Sequence, residues 1–107
     1  MAKMNETMHI TLLQTDIKWG EPAENISQVE KIIHTCKDTD LFVLPEMWST
    51  GFATKPENMA HEEDANEALL WMRHMAAERQ GAISVSLAVH LRDGSCRNRH
   101  YFIDGIA

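Results

Sequence analysis

Positive charge is scarce in this 107-residue chain: 10 lysines and arginines against 16 aspartates and glutamates leave a formal net charge of -6. Proteins that bind nucleic acid carry clustered cations to neutralise phosphates, so that class is excluded. The short mixed-sign stretch Arg92, Asp93 and Arg97 reads as a solvated turn. Cysteine is scarce too. Cys36 and Cys96 are too few to staple a secreted scaffold, so reduced thiols are the better reading, with a Cys36–Cys96 bridge as the alternative. No apolar run approaches the roughly 18 residues of a membrane span. The polar start, Met1 to Thr7, has no resemblance to a secretory signal and is expected to be flexible. These absences imply a soluble, cytoplasmic protein without membrane or nucleic-acid partners. The histidines, at positions 9, 34, 61, 74, 90 and 100, show neither HExxH nor paired ligand spacing, so no metal and no cofactor are expected.

What is present is a patterned apolar fraction of 44%, enough for one domain with one modest core. His9 to Thr15 is short, β-branched and apolar, as a buried strand would be, and ends in the polar turn Lys18 to Pro22. Ile26, Val29, Ile32, Ile33 and Cys36 then recur at spacings of three and four, which predicts a helix from about Ala23 to Lys37. Leu41 to Leu44 is a continuous apolar run stopped by Pro45, a second strand. Two such strands around an amphipathic helix form a βαβ unit with parallel strands. Gly51 to Glu63 is polar and irregular. Ala65, Leu69, Met72, Met75 and Ala76 mark a second helix over about Asp64 to Gln80. Ala82 to Val89 reads as a third strand, Asp93-Gly94 as a hairpin turn, and Arg99 to Ile103 as an antiparallel fourth strand. The expected order is β-α-β-α-β-β, an α/β fold with a mixed sheet. The last strand has no successor to cover it, so the chain reads as a partial domain.

In open α/β sheets chemistry gathers beyond the carboxyl ends of the strands, and Glu46 stands at such an end. Leu44, Pro45, Met47 and Trp48 around it would partly desolvate its carboxylate and suit it to general-base work. An exposed turn glutamate is the simpler alternative, and spacing alone does not separate the two.

The segment Leu44-Pro45-Glu46-Met47-Trp48-Ser49-Thr50-Gly51-Phe52 resembles the catalytic-glutamate segment of the nitrilase superfamily of carbon-nitrogen hydrolases, its omega-amidase-like branch above all. Gln14-Thr15-Asp16, Asn25 and Asn98-Arg99-His100-Tyr101-Phe102 fall in the same order and spacing, so the resemblance runs from about Met8 to Ile103. It implies the N-terminal part of a four-layer α-β-β-α sandwich. It also implies hydrolysis of small non-peptide amides by a cysteine nucleophile, a glutamate base and a lysine, with Glu46 as the base. The family's lysine and cysteine lie later in its order than the fourth strand, so the chain alone is expected to be inactive.

No local residue replaces them. Cys36 belongs to the apolar stripe of the first helix. Cys96, although next to Arg97, does not match the family's nucleophile segment. Lys55 reads as a solvated loop residue, and Trp48 and Phe52 either line a substrate pocket or pack. Asn98 and Arg99 suit a structural network at a strand end. Two functions compete: the base-bearing part of an amidase, and a non-catalytic module that self-associates or binds a partner. Half of a two-sheet sandwich would expose an apolar sheet face, so a homo-oligomer is expected.

Overall fold

The computed structural model describes residues 7–51, 61–62 and 66–105. Its elements, in chain order, are β1 (Ile10–Leu12), α1 (Pro22–Thr35), β2 (Leu41–Val43), β3 (His61–Glu62), α2 (Glu67–Arg79), β4 (Ala82–His90) and β5 (Cys96–Asp104). The sheet is mixed. β1, β2 and β4 run parallel in that order, β3 adds a parallel pair beyond the end of β2, and β5 lies antiparallel along the whole of β4.

Register explains which side is covered. One row across four strands is Thr11, Phe42, Ile83 and Ile103, and the next is Leu12, Val43, Ser84 and Phe102. Neighbouring rows point to opposite faces of the pleat. The first face meets both helices: Phe42, Ile83, Val85, Leu87 and Val89 pack with Val29 and Ile33 of α1 and Leu69, Met72, Met75 and Ala76 of α2. The helices are joined side by side, where Trp71 Nε1 donates to Glu30 Oε1 at 2.8 Å. Among the described residues the second face has no such layer. Leu12 is 75% and Phe102 60% exposed there.

This one-sided cover corrects the expectation of a buried first strand. β1 is only three residues long, and Ile10 and Leu12 stand exposed because the helices cover the opposite side. α2 lies inside its expected limits, whereas α1 begins one residue early, at Pro22, and ends two residues early, at Thr35. Asn66 caps α2 by accepting from the N–H groups of Ala68 and Leu69 at 3.0 and 3.1 Å. Gln80, with a φ of 51°, closes it in the left-handed region. Cys36 leaves α1 in extended conformation, and the Arg79 guanidinium of α2 donates to its carbonyl. The segment read as irregular contains β3, a pair that polar His61 and Glu62 do not signal.

β5 starts at Cys96, three residues before the sequence reading, because the turn commits the ladder earlier than apolar pattern shows. Gly94 N–H donates to Leu91 O at 2.9 Å, and Gly94 takes a φ of 87°. Hydrogen bonds from the Ser95 hydroxyl and then the Ser95 backbone N–H hold the Asp93 carboxyl below its ordinary value. At the other end of β5, Gly105 donates to Gly81 O at 2.9 Å. A side chain at Gly105 would collide with the Ala76 carbonyl, so only glycine fits where β5 passes α2.

Candidate active site

Glu46 sits in the loop that leaves β2, and the fold fixes this loop from three directions. Leu44 N–H continues the ladder to Ser84 O at 3.0 Å, and Met47 N–H donates to Ser86 Oγ at 2.8 Å. The loop also closes on itself, with Trp48 N–H donating to Pro45 O and Gly51 N–H to Met47 O. The third anchor is Asn25. Fully buried on α1, it accepts from Lys18 N–H at 2.8 Å and donates to Lys18 O at 2.7 Å and Ser49 O at 2.8 Å. Asn25 therefore ties the loop after β1 to the loop after β2.

The backbone within this loop is strained. Met47 and Ser49 adopt φ values of 54° and 85°, where side chains of L-residues are disfavoured. These turns send successive side chains to different sides of the sheet. Met47 packs on Ala88, whereas Trp48 enters the helix-side core and meets the Trp71 ring at a centroid distance of 5.3 Å. Glu46 remains on the uncovered face.

There it borders a cleft of about 330 Å³ lined by Leu44, Glu46, Ser86, Asn98 and His100. Asn98 Nδ2 donates to Glu46 Oε1 at 3.1 Å. His100 Nε2 and Ser84 Oγ share a hydrogen bond of 2.7 Å. Among the described residues Glu46 Oε2 has no hydrogen-bond partner. A carboxylate held at one oxygen and open at the other is placed to take a proton from a group entering the cleft. Glu46 is exposed in this chain, so the expected partial desolvation is absent. Of the four apolar neighbours that suggested it, Trp48 is turned into the core and Met47 packs on Ala88, and Leu44, which does border the cleft, leaves the carboxylate open to solvent.

Residues 9–105 match the profile of the carbon-nitrogen hydrolase family. The chain belongs to that family. It is 32% identical over 89 residues to an omega-amidase, YafV, of Yersinia enterocolitica, covering 83% of this chain and 34% of the relative. It is 36% identical over 87 residues to the 2-oxoglutaramate amidase of Bacillus subtilis, covering 80% and 33%. The chain thus spans about a third of the length of these relatives. A carbon-nitrogen hydrolase superfamily protein of Xanthomonas campestris, with an arsenic adduct in its active site, superposes with a TM-score of 0.83 at 25% identity, over 92% of this chain and 37% of that one. An N-terminal amidase bound to a Gln-Gly peptide gives a TM-score of 0.79 at 11% identity, over 91% and 25%, a likeness of fold.

Within this chain of the carbon-nitrogen hydrolase family the sequence-based site residues have separate fates. Glu46 lines the cleft. Trp48 does not: it is fully buried in the core, the packing alternative of the two that the sequence leaves open. Phe52 and Lys55 lie outside the described residues, as does the start read as flexible up to Glu6. Asn98, expected in a structural network at a strand end, donates instead to Glu46 itself. Both cysteines are free thiols. Cys36 packs against the core with its Sγ 3.4 Å from Ile32 O, and Cys96 Sγ lies 3.3 Å from His90 Nδ1. Neither lines the cleft. Ser86 was not read as part of the site, although its signal was present: Ser84 and Ser86 alternate with Ile83, Val85 and Leu87, which marks a polar face on an otherwise apolar strand. Among the described residues no cluster of three metal-ligating side chains occurs, and no helix is long and apolar enough to cross a membrane.

Proposed function

We propose that this chain carries the general base of an amidase of small omega-amides, such as 2-oxoglutaramate, and that Glu46 is that base. The observation that carries the reading is the Glu46 carboxylate, fixed at one oxygen by Asn98 and open at the other, in the cleft of a chain of the carbon-nitrogen hydrolase family. The omega-amidase and 2-oxoglutaramate amidase relatives support the substrate class. In the complete enzyme Glu46 takes the proton of a cysteine thiol as the sulfur attacks the amide carbon. The tetrahedral intermediate is stabilised at its oxyanion by a lysine. It then collapses with loss of ammonia, which takes the proton back from Glu46, and leaves a thioester. Water, deprotonated by the same carboxylate, hydrolyses the thioester and regenerates the thiol.

Residues 1–107 alone supply no such nucleophile, since both of their cysteines lie off the cleft. Ammonia release from 2-oxoglutaramate by the purified chain is therefore expected to equal the blank. In a longer polypeptide that adds the family's lysine and cysteine segments, Glu46→Gln is expected to lower kcat by roughly 10²–10⁴-fold, the range of general acid–base contributions. Turnover by residues 1–107, or an unaltered kcat in the Glu46→Gln enzyme, overturns the reading.

The uncovered sheet face favours a second reading, a module without catalysis that pairs with a copy of itself. Leu12 and Phe102 lie in one row of that face and expose apolar surface that water disfavours. Sedimentation at micromolar concentration is expected to show a dimer, and Leu12→Glu with Phe102→Glu to shift it to monomer. A wild-type chain that is monomeric throughout removes this reading. The gene sequence downstream of the Ala107 codon separates the two readings, because only the first requires the lysine and cysteine segments to follow in frame.

A further inference from the structure

We propose that Asn98 is a positioning residue for Glu46: its side-chain amide fixes the carboxylate in one orientation and leaves the second oxygen facing the cleft. The inference rests on the reading of Glu46 as the base. Glu46 is exposed, and an exposed glutamate ordinarily samples several rotamers. Its backbone is anchored on either side, by Leu44 N–H on Ser84 O and Met47 N–H on Ser86 Oγ, but neither bond touches the carboxylate. Asn98 Nδ2, 3.1 Å from Oε1, does.

The donor is itself well placed. Asn98 pairs with Ala88 inside a ladder that runs without interruption from Ala82 opposite Asp104 to His90 opposite Cys96. It therefore reports the position of a rigid hairpin rather than of a loop. The direction of the bond is fixed by chemistry. A carboxylate only accepts, so the amide nitrogen of Asn98, not its carbonyl oxygen, must face Oε1.

An amide is also the right donor for a base. It holds no proton that it would surrender near neutral pH, so it does not compete with the thiol. Oε1 continues to accept when Oε2 carries the proton, so Asn98 holds Glu46 through both halves of a proton cycle. Lysine or arginine at this place would hold the carboxylate too, but would oppose its protonation.

The test uses the ¹⁵N-labelled chain and the side-chain amide signals of Asn98, identified by their loss in Asn98→Ala. The expected result is that these signals move as Glu46 titrates and stay fixed over the same pH range in Glu46→Gln. Signals that do not move in the wild-type chain, or that move equally in Glu46→Gln, overturn the proposal. If Asn98→Ala does not fold, assignment through bonds in the wild-type chain serves instead, and the comparison with Glu46→Gln still decides. A purely structural Asn98 would not follow the Glu46 titration. The base reading fails separately: a longer enzyme that keeps its kcat with Glu46→Gln removes the base, while the amide response stands.

Discussion

Trp48→Ala is expected to lower the stability of the chain by about 3–5 kcal/mol, the range for deleting a large buried aromatic side chain. Trp48 is fully buried and heads the fully buried side chains by volume. It joins elements that are distant in sequence: the loop after β2, the core beneath it, and Trp71 of α2. Small domains hold only about 5–15 kcal/mol in total, so the variant loses much of its margin. Trp48→Phe separates volume from polarity. Among the described residues the buried indole Nε1 has no hydrogen-bond partner, so the phenyl ring removes a desolvated donor as well as volume. Its cost is expected to stay below about 2 kcal/mol, in line with a partial loss of side-chain volume. Urea denaturation of the three chains measures both values. A midpoint unchanged by Trp48→Ala would mean that Trp48 does not hold these elements together.

The ambiguity over Trp48 has a physical origin. Period-based reading works where one backbone geometry repeats, and it located Val29 and Ile33 on α1, Leu69, Met72 and Met75 on α2, and Phe42 and Leu44 in the core. The loop from Pro45 to Gly51 has no repeat. Positive φ at Met47 and Ser49 decides which side each residue faces, and neither is a glycine that would signal it. Ile10 and Leu12 show the opposite difficulty, because their apolar pattern records a face that has no covering layer among the described residues. Cys96, Arg97 and Asn98 are too polar to announce a strand, and only the turn at Gly94 brings them into register. The Glu46–Asn98 bond joins residues 52 positions apart, and no local pattern encodes such a contact. Similarity across separated segments, rather than spacing, made Glu46 legible.

Asn25→Asp is expected to cost more than Asn25→Ala, although it preserves shape. Asn25 is about 1% exposed, and its three hydrogen bonds all go to backbone groups of other loops. Alanine leaves Lys18 N–H, Lys18 O and Ser49 O without this partner. At roughly 1–3 kcal/mol for each buried group left unsatisfied, and with water relieving the more open Lys18 pair, about 2–4 kcal/mol follows. Aspartate keeps the acceptor for Lys18 N–H but directs a carboxylate oxygen at two carbonyls, Lys18 O and Ser49 O. It must then stay ionised and unpaired in a buried place or bind a proton, and about 3–5 kcal/mol is the usual scale for an uncompensated buried charge. Protonation restores a donor, so the Asn25→Asp chain should regain stability as the pH falls, whereas the alanine chain should not. Denaturant melts at neutral and at mildly acidic pH measure this difference. Hydrogen exchange at Gly20, which donates to Thr50 O at 2.9 Å, reports whether the two loops separate before the core does. Equal melts for the two variants at both pH values would mean that Asn25 fills space and does not bracket the loop that aims Glu46.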